Sequence, residues 1–166
     1  IAKLTAEEYC HVYFQEYGLP TTRVRYFNVY GPGQSEKFVV PIFINQIARG
    51  ESPTIYGDGK QYRSYTHVDD AVTGTILAAT ADGTIDQVFN IGNDRSLTII
   101  GLAKYIIKLS GKELKPAYKG FGDGIRHERR EVKKRIPDIS KARKILGYKP
   151  QVPWEEGIKR FYEWYV

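Results

Sequence analysis

KLTAEEYCHVYFQEYGLPTTRVRYFNVYGPG, residues 3–33, is the stretch from which the rest of the chain can be placed. Ala6, Cys10, Tyr13 and Tyr17 recur at helical spacing while Glu7, Glu8, His11 and Gln15 fall elsewhere, which predicts an amphipathic helix over 3–17. Gly18 suits the left-handed residue that ends a helix, and Pro20 prevents resumption. A β-rich run, Thr22 to Val29, follows at once and closes at Gly31-Pro32-Gly33. Helix, short loop, strand is the rhythm of an α/β protein.

Downstream, the apolar run Phe38 to Ala48 predicts a second helix, with Pro41 in its first turn and Gly50 as its stop. Pro53 to Tyr56 reads as a short strand, Gly57-Asp58-Gly59 as a tight turn, and Tyr62 to Val68 as the returning strand of a hairpin. Asp69 or Asp70 is expected to cap a helix reaching about Ala81. Val88 to Gly92 is a strand candidate, and Thr98 caps a helix that ends at Ser110 before Gly111. Lys112 to Lys119 is weakly strand-like, and 120–135 is glycine-rich, then densely charged, as in a surface loop. Helices are predicted over Ile139 to Leu146 and Trp154 to Tyr165.

The 166 residues suffice for one domain with a single core, and 42% hydrophobic with 27% charged residues is ordinary for a soluble globular chain. No apolar stretch is long enough to span a bilayer, and the start lacks the order of a signal peptide, so a cytoplasmic protein is expected. One cysteine, Cys10, excludes an internal disulfide, and His11, His67 and His127 do not stand at zinc-ligand spacing, so no metal is expected. The chain has no methionine and opens at Ile1 within a helical pattern, from which a piece of a longer protein is expected.

The net charge of +6 is uneven, with 14 Lys/Arg against 5 Asp/Glu in residues 108–149. No nucleic-acid motif accompanies that excess, so a solvated basic surface with one or two phosphate-binding arginines is expected instead of a nucleic-acid partner. The dinucleotide fingerprint G-x-G-x-x-G is absent, since Gly120-Phe121-Gly122-Asp123-Gly124 fails its spacing.

What is present, in order, is Arg25-Tyr26-Phe27-Asn28-Val29-Tyr30-Gly31-Pro32, Tyr56-Gly57-Asp58-Gly59-Lys60-Gln61-Tyr62-Arg63, Val68-Asp69-Asp70 and Phe89-Asn90-Ile91-Gly92. Pro137-Asp138-Ile139-Ser140-Lys141-Ala142 and Leu146-Gly147-Tyr148-Lys149-Pro150 complete the series. In this order and across nearly the whole chain, these motifs resemble the extended short-chain dehydrogenase/reductase family acting on nucleotide sugars, which includes epimerases, 4,6-dehydratases and decarboxylases. The resemblance implies the C-terminal part of a Rossmann-type protein, mainly its small mixed α/β substrate-binding domain. On that reading residues 1–31 are the last helix and strand of the dinucleotide-binding domain. Residues 32–166 form the nucleotide-sugar domain, with some elements returning to the first.

The resemblance makes Lys3 the lysine of a catalytic Tyr-x-x-x-Lys pair whose tyrosine would lie four residues earlier, before Ile1. An ammonium one helical turn away lowers a phenol's pKa and can also hold the nicotinamide ribose. It further implies that Tyr26 borders the nicotinamide, that Asn28 contacts the substrate's pyrophosphate or adjoining sugar, and that Arg63 grips the diphosphate with a guanidinium fork. Val39, Val40 and Tyr56 would wall the nucleobase. A second phosphate contact would come from Arg130, or else Arg126, in a loop that departs from the family's usual Arg-Pro-Gly-Asp. Ser64, where aspartate is common, is another departure.

Each residue also has a plainer reading. Lys3 could be a solvated helix-start lysine, Tyr26 a core aromatic, Asn28 a turn former, Arg63 an ion-pair partner of Asp69 or Asp70, and Val39, Val40 and Tyr56 core residues. The expected whole is an NAD- or NADP-dependent enzyme acting on a UDP-, dTDP- or GDP-sugar by transient oxidation, and a homodimer, with this piece inactive alone. The alternative is a noncatalytic module that binds nucleotide diphosphates or other proteins. The resemblance implies a dimer formed through the helix carrying Lys3 and a neighbouring helix, and without that neighbour Tyr9, Tyr13 and Tyr17 would be exposed and drive nonnative association.

Overall fold

The computed structural model describes residues 1–121 and 131–166. It opens with helix α1 (Ala2–Tyr17), ended by Gly18 at φ 65°, and strand β1 (Thr22–Tyr26). The expected run to Val29 is broken: Asn28 adopts φ 41°, and β2 (Val29–Tyr30) starts afresh beyond it. A left-handed residue cannot continue a strand, and asparagine tolerates that conformation better than most.

Helix α2 (Val39–Ala48) is followed by β3 (Thr54–Tyr56), β4 (Tyr62–Ser64), β5 (Thr66–His67) and α3 (Val68–Thr80). Then come β6 (Gln87–Ile91), β7 (Ser96–Thr98), α4 (Ile99–Ser110), β8 (Ala117–Lys119), β9 (Lys134–Arg135), α5 (Ser140–Leu146) and α6 (Trp154–Tyr165). Strands β1 and β6 pair in parallel, from Thr22 opposite Gln87 to Tyr26 opposite Ile91. Helices α3 and α5 pack against this pair, with Phe89, Ile91, Ile139, Ala142, Leu146 and Tyr148 in one apolar cluster. A second cluster joins α2, α4 and α6 through Phe43, Ile44, Ile47, Leu102, Ile106 and Phe161.

Two local expectations fail. The predicted hairpin across Gly57-Asp58-Gly59 does not form, because β3 pairs with β8 and β4 pairs with β7 and β9. The turn geometry is present, with Gly57 at φ 72° and Gly59 at φ 69°, but it hands the chain to a different sheet. Helix α3 is capped by His67, whose Nδ1 accepts the Asp69 N–H at 3.3 Å, and not by an aspartate. Asp70 is buried in the first turn, where its carboxylate accepts the Gln151 and Val152 backbone N–H groups at 2.7 and 3.1 Å and ties α3 to the segment before α6.

Helix α1 has no buried residue and is held by polar contacts. Arg25 grips Glu7, and Asp86 receives His11 at 2.9 Å and Arg23 at 2.7 Å. These contacts set α1 antiparallel to β1, so Lys3, one turn before Glu7 on the same face, lies toward the end of β1 that carries Tyr26. Tyr9, Tyr13 and Tyr17 are exposed on this helix.

Candidate functional site

The end of β1, the start of α2, strand β3 and the β4 and β9 ladder enclose a cavity of about 840 Å³. Asn28, Val39, Tyr56 and Arg63, four of the residues singled out in the sequence, line it together. They come from positions up to 35 residues apart, so the folding of the chain, not sequence proximity, unites them.

Asn28 does two jobs. Its left-handed backbone ends the β1 segment, and its Nδ2 donates to the Ser64 carbonyl at 2.8 Å, locking the loop to β4. One Nδ2 hydrogen and the Oδ1 acceptor stay uncommitted by that bond. The turn reading and the ligand reading of Asn28 are therefore compatible.

Arg63 is held as a fork. Its Nη1 donates to the carbonyls of Tyr62 and Val132 at 2.8 and 2.7 Å, and its Nη2 donates to the Glu131 carboxylate. Three of five guanidinium N–H donors are thereby fixed, and the side chain is only 14% exposed. The carboxylate partner is Glu131, not the Asp69 or Asp70 considered from the sequence. Parallel pairing sets Arg135 directly opposite Arg63, and residues so paired share a face of the sheet. Arg135 also lines the cavity and makes no ion pair among the described residues.

Tyr65 supplies a buried polar atom without a partner among the described residues, and it lines this cavity. The residue is 3% exposed, and the unpartnered atom is its hydroxyl. Burial pushes its phenol well above the ordinary value, against the opposing pull of Arg63, so it is a neutral donor at physiological pH. An unpaired buried hydroxyl costs stability. A ligand oxygen in the cavity would remove that cost.

The remaining candidates separate. Val40 is 1% exposed within the apolar core and does not line the cavity, because the helical turn sends it inward beside Phe43 and Ile44. Tyr26 is 50% exposed, not a core aromatic, and its hydroxyl meets Thr75 Oγ1 at 2.7 Å. Lys3 is exposed in the first turn of α1 and does not line the cavity. Arg126 and Arg130 lie outside the described residues. Buried Ser64 donates to the Asn93 carbonyl and so ties β4 to the loop after β6.

Arg135 and Tyr65 were missed in the sequence. Tyr65 had a signal, two places after Arg63 in the predicted strand Tyr62 to Val68 and therefore expected on the same face. Arg135 had none, since only its pairing with β4 distinguishes it from the neighbouring cations. Among the described residues no group of three or more His, Cys, Asp or Glu could hold a metal ion, and no helix is long and apolar enough to cross a membrane.

A cavity at the strand ends of an α/β layer, carrying two arginines and a buried phenol, has the donors and charge that an anionic ligand would need. Residues 1–92 match the NAD dependent epimerase/dehydratase family. The chain belongs to that family, in agreement with the resemblance its motifs carry.

Three of its relatives give the scale of the likeness. UDP-N-acetyl-alpha-D-glucosaminuronate decarboxylase of Bacillus cytotoxicus is 36% identical over 168 residues, covering 99% of this chain and 52% of the relative. UDP-glucose 4-epimerase of Thermotoga maritima, solved with UDP-glucose, superposes with a TM-score of 0.89 at 39% identity, covering 99% of this chain and 52% of that one. The UDP-glucuronic acid 4-epimerase of Bacillus cereus, solved with UDP-glucuronic acid and NAD, superposes with a TM-score of 0.86 at 32% identity over 98% of this chain and 50% of that one. The chain spans about half the length of the curated relatives it matches.

Proposed function

We propose that this chain is the substrate-binding portion of an NAD(P)-dependent nucleotide-sugar epimerase, or of a 4,6-dehydratase or decarboxylase that begins with the same oxidation. The observation that carries this reading is the meeting of Arg63, Asn28 and the unpartnered Tyr65 hydroxyl in one cavity. Arg63 keeps two N–H donors for a diphosphate, Asn28 keeps an amide donor and acceptor, and Tyr65 donates to a phosphate or sugar oxygen. Val39 and Tyr56 form the apolar wall for a nucleobase. Arg135 takes the second phosphate role that the sequence reading gave to Arg130 or Arg126.

Residues 1–31 belong, on this proposal, with a dinucleotide-binding half, and 32–166 with the substrate domain. Bound NAD(P) supplies the hydride acceptor. Lys3 and Tyr26 would face its nicotinamide end: Lys3 is exposed and Tyr26 half exposed toward the same end of β1, which leaves both accessible to it. A tyrosine four residues before Lys3 would complete the proton-transferring pair. The intact enzyme is proposed to be a cytoplasmic homodimer acting on a UDP-sugar, and several relatives carry UDP-sugar names.

Calorimetry with UDP, dTDP and GDP tests the reading. Binding of at least one of them, weakened about tenfold or more by Arg63→Ala, is expected from the loss of a charged hydrogen-bonding fork. Absence of binding to all three sinks it.

A further inference from the structure

The β4 and β9 ladder has a second face, and three of the basic residues of 108–149, Lys119, Lys133 and Lys134, stand at it. Tyr62 stands opposite Lys134 one place before the Arg63 and Arg135 pair, so strand alternation turns them to the other side. Lys134 Nζ lies 5.8 Å from the centroid of the Tyr62 ring. With Lys60, Lys119 and Lys133 they line a second, open cavity of about 820 Å³ that also includes Tyr118 and Phe121.

Among the described residues, the charge of this cavity is one-sided. Its acids are Asp58 and Glu131. Asp58 Oδ1 accepts the Lys60 backbone N–H at 2.9 Å, and Glu131 is committed to Arg63. None of the four lysines makes an ion pair among the described residues. A solvated lysine face needs neither a concavity nor aromatic walls. This one has both, with a volume in the range that takes small ligands, about 300–1,000 Å³.

We infer that the second cavity binds a nucleoside polyphosphate, independently of the nucleotide-sugar cavity. Lysine ammoniums are compact charges without the planar fork of arginine, and a cluster of them suits a flexible polyphosphate chain more than a single bidentate group. Tyr62, Tyr118 and Phe121 give a base an aromatic surface to stack on, a contact every base can make. The cavities share Gln61, Phe121 and Glu131, so an occupant of one touches residues that wall the other.

The test uses ATP and inorganic triphosphate as probes, followed by calorimetry at physiological ionic strength. In a protein carrying Arg63→Ala and Arg135→Ala, ATP binding is expected to persist, and to exceed that of inorganic triphosphate. Lys119→Gln with Lys134→Gln is expected to weaken it about fivefold or more, from the loss of two ammoniums. Lys60→Gln with Lys133→Gln should repeat the result if the first pair disturbs folding. Lys104→Gln with Lys108→Gln, on the exposed side of α4, should leave it unchanged. The inference is overturned if ATP binding disappears with the two arginines, if inorganic triphosphate binds as tightly as ATP, or if the α4 lysines matter as much as those of the cavity. Failure of UDP to bind the first cavity would leave this result intact, so the two readings fail separately.

Discussion

The Arg63 guanidinium donates to the Glu131 carboxylate, so the cation best placed for a diphosphate already grips an anion of its own chain. Glu131 neutralises Arg63 where water is partly excluded, and Arg135 stands opposite without a counter-ion among the described residues. A diphosphate entering the cavity meets two cations and one carboxylate.

That carboxylate would repel the diphosphate proposed to enter here. Glu131→Gln keeps an acceptor for Arg63 but removes the charge, and UDP should bind about fivefold more tightly, the scale of one partly screened charge interaction. Calorimetry at two salt concentrations checks this. The gain should shrink as salt rises.

Tyr65 predicts opposite effects on stability and binding. Tyr65→Phe removes a buried hydroxyl that has no partner among the described residues, and should raise unfolding stability by about 1 kcal/mol in denaturant titrations. The same substitution should weaken UDP binding.

Gly57 lies against Phe121, a residue that lines both cavities. A Cβ there would stand 2.5 Å from Phe121 Cε2, and the residue sits at φ 72°, where side chains are strained. Gly57→Ala should destabilise the protein by about 1–2 kcal/mol in thermal or chemical unfolding, and should shift the Phe121 ring signals in NMR spectra.

Helix α1 depends on Asp86 and should loosen in acid. The His11 hydrogen bond holds the Asp86 carboxyl below its usual pKa, with the charges of His11 and Arg23 acting in the same direction. A carboxylate depressed in the folded state contributes stability that is present above its unfolded pKa, about 4, and is lost as pH falls through the folded value. Asp86→Asn, tolerated at φ 58°, should speed amide exchange in α1 at neutral pH, and the difference from the parent protein should fade in acid.

Most of the element order could be read in the sequence because its signals are local. Gly18, Thr98 and Gly111 end or start helices by chemistry within a few residues, and they do so in the structure. What could not be read is what depends on distant partners. The turn at Gly57 to Gly59 looks like a hairpin, but β3 finds β8 more than fifty residues later in the chain. His67 displaces the aspartates as cap because Asp70 is claimed by Gln151 and Val152. Asn28, Arg63, Val39 and Tyr56 were recognisable by motif, whereas Val40 needed the orientation of α2 and Arg135 the register of β9.

A structure of the chain with UDP tests the central claim most directly. The account predicts the diphosphate in the cavity of Asn28, with its oxygens within hydrogen-bonding distance of Arg63 and the Tyr65 hydroxyl. UDP seated against Lys119 and Lys134 instead, or an Arg63 that stays with Glu131 and touches no phosphate, would contradict it.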